Sequence, residues 1–420
     1  MDLSVVIPTY KEGKNISKLV LKLHDVIRSF SNEYEIIVVD GGSEDGTVEN
    51  AQNAGAKAIV QKDPGFGNAL KDGFGVARGN YIITMDGDLS HDPIVIHDLW
   101  KSRDKSDVVV ASRYVKNGSA NMPVFRKFLS LTLNKFFTYF LSIPMKDISS
   151  GFRLYKASSI KGMELSGQNF DVLQEILVHA YSYGWSVSEI PFKYKPREYG
   201  QSKLKLIKFG MSYLKTFLKL WLLRNSVESV DYDSRAYHSR IPFQRFWQRK
   251  RYEMITSMLD KNDDIIDIGC GSSKIIQDLP DAIAYDLSMG KLRYLRRSNK
   301  LLVCGDVRAL PFKDDVFHTV IFSNVIEHVP RCNSVLSEIN RILKVGGTLI
   351  VATPDYGKIT WRIIEHLYDM VKLKGSYKKA HVSRYDLMSL SKTLEDGGFQ
   401  IVDKKYIFNS ELVVKVMKNI

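Results

Sequence analysis

Short apolar runs alternate with polar, glycine-rich turns and with longer stretches in which apolar residues recur every three or four positions. Leu3 to Pro8 reads as a strand, Asn15 to Phe30 as an amphipathic helix and Tyr34 to Val39 as a second strand, after which strand, polar loop and helix repeat. That succession predicts a parallel sheet with right-handed crossovers. Tyr81 to Met85 reads as a further buried strand that ends in Asp86-Gly-Asp88. Two helical stretches close this half, Phe125 to Met145 and Lys205 to Leu223. From Asn225 to about Tyr252 the pattern turns to Ser, Asp and Arg among aromatics, with a helix expected over Gln244 to Leu259; this joint is poor in Gly and Pro, so it reads as ordered. A second alternation starts at Asp264-Ile-Ile-Asp267-Ile-Gly269 and runs through strands at Ala284 to Asp286, Phe317 to Asn324 and Leu343 to Val351. Two α/β domains follow, 1–227 and 228–420, in line with about 100–200 residues per domain for a chain of 420.

Charge and composition narrow the setting. The net charge is +13, and Lys193 to Arg251 holds fifteen Lys and Arg against four Asp and Glu. A belt of that kind calls for an anionic neighbour: lipid head groups, a substrate phosphate or nucleic acid. Cys270, Cys304 and Cys332 are far apart and form no CxxC pair, so neither a disulfide framework nor a cysteine zinc site is expected, and a reducing cytosolic setting is. The start lacks a basic n-region and Pro8 interrupts its apolar run, which argues against a signal peptide. No uncharged run approaches the roughly 18–20 residues of a spanning helix.

The chemistry begins at Asp86 and Asp88. A buried strand delivers both carboxylates to its C-terminal edge, where open α/β sheets bind ligands. An oxygen-only pair suits Mg²⁺ or Mn²⁺ carrying a substrate diphosphate, although Asp-x-Asp also occurs in turns and caps. The loops after the first, second and fourth strands would meet along one edge. There Tyr10 can stack on a base, while Glu12 and Asp40 can accept from base or ribose donors; Asp40 has the alternative of capping a turn.

The motifs around these positions are Pro8-Thr-Tyr10-Lys-Glu12, Val39-Asp40-Gly-Gly-Ser-Glu-Asp45-Gly46-Thr47, Gly65-Phe-Gly67, Met85-Asp86-Gly-Asp88-Leu-Ser90-His91, Ala111-Ser-Arg113-Tyr114, Asp147-Ile-Ser-Ser-Gly151-Phe152-Arg153, Glu175 and Arg197-Glu-Tyr-Gly200-Gln-Ser202-Lys203. In this order, over about residues 1–223, they resemble family-2 glycosyltransferases of the dolichol-phosphate mannosyltransferase type. The chain departs at Gly41, where many relatives carry a second Asp, and this bears on the choice of nucleotide. The resemblance implies a GT-A type nucleotide-sugar-binding domain and an inverting transfer of a hexose to a polyprenyl or dolichyl phosphate. It implies that Pro8, Tyr10, Glu12, Asp40, Asp86 and Asp88 bind the nucleotide sugar, and that Asp86, Asp88 and Ser90 hold the metal. Because the acceptor is already an anion, the task is to bring two anions together and neutralise a leaving diphosphate. Arg113, Arg197 and Lys203 join the two acids as catalytic candidates, and Arg126 and Arg153 are candidates for the acceptor phosphate, since guanidinium forks match phosphate oxygens. Arg113 and Arg153 have structural ion pairs as the alternative.

Two stretches suit an acceptor at a membrane surface. Phe125 to Met145 is charged only at Arg126, Lys127 and Lys135. In Lys205 to Leu223, Lys205, Lys208, Lys215 and Lys219 fall within an arc of roughly 80°, with apolar residues over the rest. An interfacial helix is expected, and with it peripheral placement on the cytoplasmic face of a membrane; packing on the protein's own core is the alternative.

In the second half, Asp267-Ile-Gly269-Cys-Gly271-Ser-Ser273 is a strand running into a small-residue turn that lets backbone approach a ligand. Asp267 would repel a pyrophosphate and favours a cationic ligand. Asp286 ends the next strand where ribose hydroxyls would lie, and Asp306 follows Cys304-Gly305 near the place of an adenine amino group. With Glu327-His328-Val-Pro330 and Leu343-Lys-Val-Gly346-Gly347, residues 245–405 resemble class I methyltransferases that use S-adenosylmethionine, with Ser273 in place of a common third glycine. The resemblance implies a Rossmann-like domain in which Asp267, Gly269 and Gly271 line the methionine end, Asp286 holds ribose and Asp306 reads adenine. His328 is a candidate base or a structural histidine, and Lys378 to Tyr385, with His381 and Arg384, is a candidate wall of the acceptor pocket or a surface loop.

The resulting expectation is a bifunctional enzyme that makes polyprenyl-phosphate hexose, with mannose from GDP-mannose favoured over UDP-glucose or another UDP-hexose, and that methylates a glycan or glycolipid. The alternatives are a silent domain serving as a membrane-docking scaffold, and a nucleic-acid methyltransferase. Nucleic acid is not an expected partner.

Overall fold

The computed structural model describes residues 1–196, 206–260, 263–298, 301–330, 333–370 and 381–419. It divides into two compact units, Met1–Trp221 and Leu222–Ile420, with the cut inside the last turn of the Leu206–Arg224 helix.

The first unit is built on strands β1 (Leu3–Thr9), β2 (Tyr34–Asp40), β3 (Lys57–Val60), β4 (Tyr81–Thr84), β5 (Val108–Ser112), β6 (Ser119–Ala120), β7 (Arg153–Lys156), β8 (Val187–Pro191) and β9 (Lys193–Tyr194). Seven of them form one sheet in the order β3-β2-β1-β4-β7-β5-β8, while β6 pairs with β9. The expected parallel pairing holds from β3 to β4, but β7 enters antiparallel to both β4 and β5, so the sheet is mixed. The strands are apolar on both faces because each face has its own core. Val6, Ile37, Val39, Ile82 and Val110 point to one side, Val5, Ile7, Ile36, Val38 and Ile83 to the other, as a period of two requires. The Ile16–Arg28 helix covers the second face with Ile16, Leu19, Val20, Leu23 and Ile27.

The second unit repeats this logic with β10 (Ile265–Ile268), β11 (Ile283–Asp286), β12 (Leu302–Cys304), β13 (Phe317–Ser323), β14 (Leu343–Pro354), β15 (Phe399–Ile407) and β16 (Glu411–Lys418). The order is β12-β11-β10-β13-β14-β16-β15, parallel as far as β14 and antiparallel beyond. The order reverses at β10, between β11 and β13, and the turn after β10 therefore opens at a topological switch point.

Among the described residues no helix is long and apolar enough to cross a membrane. The Val124–Leu141 and Leu206–Arg224 helices instead pack on each other through Phe136, Phe137 and Phe140 against Phe217. In the second helix Thr216, Phe217 and Leu220 are buried, while Met211, Leu214 and Leu218 are exposed beside Lys215 and Lys219; Lys205 lies outside the described residues. Its apolar residues exceed what one buried stripe can take.

Candidate functional sites

In the first unit the loops after β1, β2 and β4 meet. Gly41 N donates to Thr9 O, Lys11 N to Ser43 Oγ at 2.7 Å, Glu12 N to Thr47 Oγ1 at 3.0 Å and Gly13 N to Asp45 Oδ2 at 3.0 Å. Gly87 must be glycine because a Cβ there would stand 2.7 Å from the Thr9 methyl. Tyr10 is 45% exposed at this edge, with Lys11 over its ring. Pro8 is half-buried, and Glu12 accepts from Asn15 Nδ2 at 2.7 Å.

Asp40 is fully buried beneath these loops. Thr9 Oγ1 and Ser43 Oγ donate to its Oδ1 at 3.1 and 2.8 Å, and Ser43 N donates to Oδ2 at 2.6 Å. It therefore caps the Gly41–Ser43 turn, the alternative to direct contact with base or ribose. Asp88 is also buried, with Ser90 N and Oγ donating to its Oδ1 at 3.0 and 2.5 Å. Ser90, expected as a metal ligand, is fully buried with its hydroxyl spent on aiming Asp88.

Asp86, with its side chain 32% exposed, opens into a cavity of about 660 Å³. Its backbone N–H donates to His91 Nδ1 at 3.0 Å, which leaves the ring proton on Nε2, 3.6 Å from Asp86 Oδ2. His91 stacks on Phe152 at 4.9 Å and 9°, so the ring that faces Asp86 cannot turn freely. Sequence reasoning gave His91 no part; its place three residues beyond Asp88 was the available signal. The donor set on this loop is carboxylate oxygen, which fits a hard divalent cation.

The rest of the cavity wall has two characters. Arg113, Arg126, Ser149 and Ser150 stand with Asp86 and His91, and Phe125, Leu129, Leu133, Phe170, Leu173 and Tyr213 make an apolar remainder. Arg113 is held by Asp147, with Nε to Oδ2 at 2.7 Å and Nη2 to Oδ1 at 2.8 Å. Burial opposes ionisation of Asp147, but the guanidinium bonds outweigh it and keep the carboxyl below its ordinary value. Arg113 thus combines the ion pair of the alternative reading with a place on the cavity wall.

Arg153 is the clear correction. It is fully buried, and Nε donates to Ser150 O at 2.6 Å, Nη1 to Leu173 O at 2.7 Å and Nη2 to Ile148 O at 2.8 Å. Main-chain carbonyls, not an acceptor phosphate, take its donors. Glu175 is likewise internal, accepting from Ser166 N, Gly167 N and Lys219 Nζ; burial opposes its ionisation, yet these bonds hold it below the usual glutamate value. Gly65 and Gly67 lie against that same loop, where a Cβ would come within 2.4 Å of Gln168 O and 2.5 Å of Gly167 O. Arg197 and Lys203 lie outside the described residues.

In the second unit a cavity of about 340 Å³ is lined by Asp267, Gly269, Cys270, Gly271, Ser273, Lys291 and His328. Gly269 and Gly271 have φ of +70° and +58°, and a Cβ on Gly271 would reach 2.6 Å from Asp233 Oδ2. Asp267 is buried close to Asp286 and Asp233, and burial first, then these two like charges, push its carboxyl up to about 8. Asp286 does not line the cavity: its Oδ2 accepts from Gly271 N at 2.9 Å and its Oδ1 from Ser288 N at 2.7 Å, tying the turn to β11. Asp306 stands apart as well, clasped by Arg308 Nε at 2.9 and 3.0 Å and by Nη2, which draws its carboxyl down to about 2. The adenine role expected of Asp306 meets a carboxylate already occupied by a neighbour two residues on. Sequence reasoning missed the wall supplied by the joint, where Tyr232, Asp233, Tyr237, Gln248, Arg251 and Tyr252 all face the cavity. Asp233 beside two tyrosines was the signal available.

Comparison with known proteins gives these geometries a family. Residues 4–163 match the model for glycosyl transferase family 2, and residues 266–351 match a methyltransferase domain. A dolichol-phosphate mannosyltransferase of Pyrococcus furiosus is 34% identical over 242 residues, 55% of this chain and 66% of that protein. A polyprenol monophosphomannose synthase of Mycolicibacterium smegmatis is 32% identical over 222 residues, 48% of this chain and 80% of its own length. An undecaprenyl-phosphate 4-deoxy-4-formamido-L-arabinose transferase of Edwardsiella ictaluri is 32% identical over 213 residues, 49% of this chain and 63% of that protein. The chain spans just under two thirds of the first and third of these relatives. It belongs to glycosyl transferase family 2 through its first half, and a methyltransferase domain follows.

The two arginines separate structural from surface roles. Arg153→Ala should strip donors from three buried carbonyls and lower unfolding free energy by about 2–4 kcal/mol, while Arg126→Ala, at the cavity wall, should stay within about 0.5 kcal/mol of the parent in urea unfolding. An Arg153→Ala chain as stable as the parent would show that these bonds do not hold the loop.

Proposed function

We propose that the first domain transfers a hexose from a nucleotide sugar to a polyprenyl phosphate with inversion, and that the second transfers a methyl group from S-adenosylmethionine to a glycan or glycolipid. The observation that carries the first half is the cavity at Asp86, in which acidic and guanidinium groups adjoin a long apolar wall. An anionic head on an isoprenoid tail matches both parts, whereas a free sugar phosphate leaves the apolar wall bare. The names of the three relatives all include a prenyl phosphate or phospho-prenol, and two of the three name mannose. Mannose, from GDP-mannose, is accordingly the favoured donor sugar, with a UDP-hexose next.

In this reading Asp86 and Asp88 hold Mg²⁺ or Mn²⁺, which supplies neutralising charge to the departing diphosphate. Ser90 aims Asp88, and His91 holds Asp86 by its backbone and ring. Arg113, kept charged by Asp147, and Arg126 receive the acceptor phosphate. Its oxygen needs no strong base, because it is an anion at neutral pH. Tyr10 and Glu12 bind the nucleotide at the exposed edge, and Asp40 keeps their loops in place. Arg197 and Lys203 are assigned to phosphate contact on the family resemblance alone.

In the second domain the acids Asp267 and Asp233 face the cationic methionine end of the methyl donor, with Lys291 beside them for its carboxylate. Asp286 acts through the Gly271 turn.

The exposed apolar residues of the two packed helices, with Lys215 among them, form the surface on which the protein meets a membrane. Phe128 is 63% exposed and Leu218 51%. A prenyl acceptor lies in a bilayer, so its enzyme gains by lying flat against one.

Three measurements test this. With Mg²⁺, a short polyprenyl phosphate and each nucleotide sugar in turn, mass spectrometry should find polyprenyl-phosphate hexose. Asp88→Asn should cut its formation by roughly a hundredfold or more; full activity in that variant would remove Asp88 from the mechanism. The chain should float with vesicles containing anionic lipid, and Phe128→Ser with Leu218→Ser should lower the bound fraction roughly tenfold; flotation indifferent to both changes would place the membrane face elsewhere. For the methyl donor, Asp267 is protonated at pH 7 in the empty domain and a cation favours its ionised form. Binding should therefore release a proton, and affinity should rise by up to about tenfold per pH unit from 6 toward 8 before levelling. Calorimetry in buffers of different ionisation enthalpy reads that proton; an affinity flat over this range would mean that Asp267 does not meet the cation.

A further inference from the structure

The turn after β13 and residues 381–385 meet around Glu327, His328 and His381, which neither transfer described above employs. One ligand atom from each lies within 4.8 Å of the other two. The approach is fixed by backbone: Ser383 N donates to Glu327 O at 3.0 Å and Ser383 Oγ to Val329 O at 2.7 Å.

Glu327 is 1% exposed. Thr353 Oγ1 donates to its Oε2 at 3.1 Å, but its Oε1 has no hydrogen-bond partner among the described residues. A buried carboxylate oxygen left this way costs on the order of 1–3 kcal/mol or more, so the position asks for a cation or a donor.

His381 is oriented for the same purpose. The Tyr356 hydroxyl donates its single hydrogen to Glu365 Oε1 at 2.9 Å, so at 2.7 Å it can only accept from His381 Nδ1. The ring proton therefore sits on Nδ1. Trp361 stacks on the ring at 6.3 Å and 12°. A carboxylate behind a histidine that ligates through its other nitrogen is how proteins set the tautomer and raise the basicity of metal-bound imidazole.

We propose that Glu327, His328 and His381 bind a divalent transition-metal ion. Two imidazoles and one carboxylate suit Zn²⁺, Co²⁺ or Fe²⁺ better than Mg²⁺ or Ca²⁺. His328 is exposed on the wall of the 340 Å³ cavity that also holds Asp267 and Gly269, so the ion's open positions face that cavity. Resting on the methyl-donor reading, the methyl acceptor is then an oxygen nucleophile. A hydroxyl bound to the ion gives its proton to water, its oxygen forms the bond to the methyl carbon, and the carbon–sulfur bond breaks to leave a neutral thioether.

The test uses the full chain carrying Asp86→Asn and Asp88→Asn, which takes the sugar-nucleotide site out of the count. Stripped with a chelator and titrated with Co²⁺, it should bind a single equivalent with the ligand-field bands of a nitrogen-ligated ion. His328→Ala, at an exposed side chain, should weaken binding at least roughly tenfold and shift the bands. Tyr356→Phe, which keeps all three ligands, should weaken it roughly tenfold. Absence of the bands, or an unchanged affinity and spectrum in His328→Ala, overturns the site. S-adenosylmethionine binding, measured by calorimetry on the same metal-free chain, bears on the donor reading alone: donor bound without a Co²⁺ site sinks the metal, and Co²⁺ bound without donor sustains it while sinking that reading.

Discussion

The first domain depends on satisfying a loop that it cannot leave in water. Residues 146–151 pass beneath the cavity, and most of their main-chain groups are met by side chains. Asp147 accepts from Ser149 N and Ser150 N, Asn134 Oδ1 from Ile148 N, and Glu189 from Lys146 N and Asp147 N. Arg153 takes the carbonyls of Ile148 and Ser150. Buried backbone left unpaired costs as much as a lost hydrogen bond at each group, so a buried loop demands this density of polar side chains. Because the loop is held, Gly151 can stand 3.4 Å, measured from a Cβ built on it, from Asp86 Oδ1. The cavity's acid is positioned against a loop that charged side chains hold in place.

This explains which parts of the site were legible from sequence. Strand patterning placed Asp40, Asp86, Asp267 and Asp286 at strand ends: Asp40 and Asp286 close β2 and β11, Asp267 stands one residue before the end of β10, and Asp86 lies two residues beyond β4. What a carboxylate or guanidinium does at such an end depends on the nearest donor, and that is a tertiary fact. Asp40 is met by Ser43 and Thr9, Asp306 by Arg308, Arg153 by three carbonyls. In each case a charged side chain is matched at short range, and nothing in a motif says whether the match is a ligand or a neighbour.

The antiparallel β7 was illegible for a related reason. Its alternation of Leu154 and Tyr155 to opposite cores is the same whichever way the strand runs. Direction comes from the connection, and here the chain reaches β7 by way of the Val124–Leu141 helix and the loop just described. The joint between the halves was read as ordered but not as part of a site. Its Asp233 contacts the Gly271 turn through Ser272 N at 3.2 Å, a pairing across 39 residues that no local pattern announces.

The two domains treat buried acid in opposite ways. In the first, Asp147 and Glu175 are surrounded by donors and cations that outweigh burial, so they are ionised struts. In the second, Asp267 sits among other carboxylates, and Glu327 keeps an oxygen without a partner among the described residues. A fold bears such a cost where something outside the chain relieves it, because a well-packed apolar residue would otherwise be more stable in that position. The unrelieved acids cluster at the end of β10 and beyond β13, on either side of the switch point, whereas the relieved ones lie under loops. By this physical criterion the acids that the second domain leaves without a matching cation mark its ligand edge.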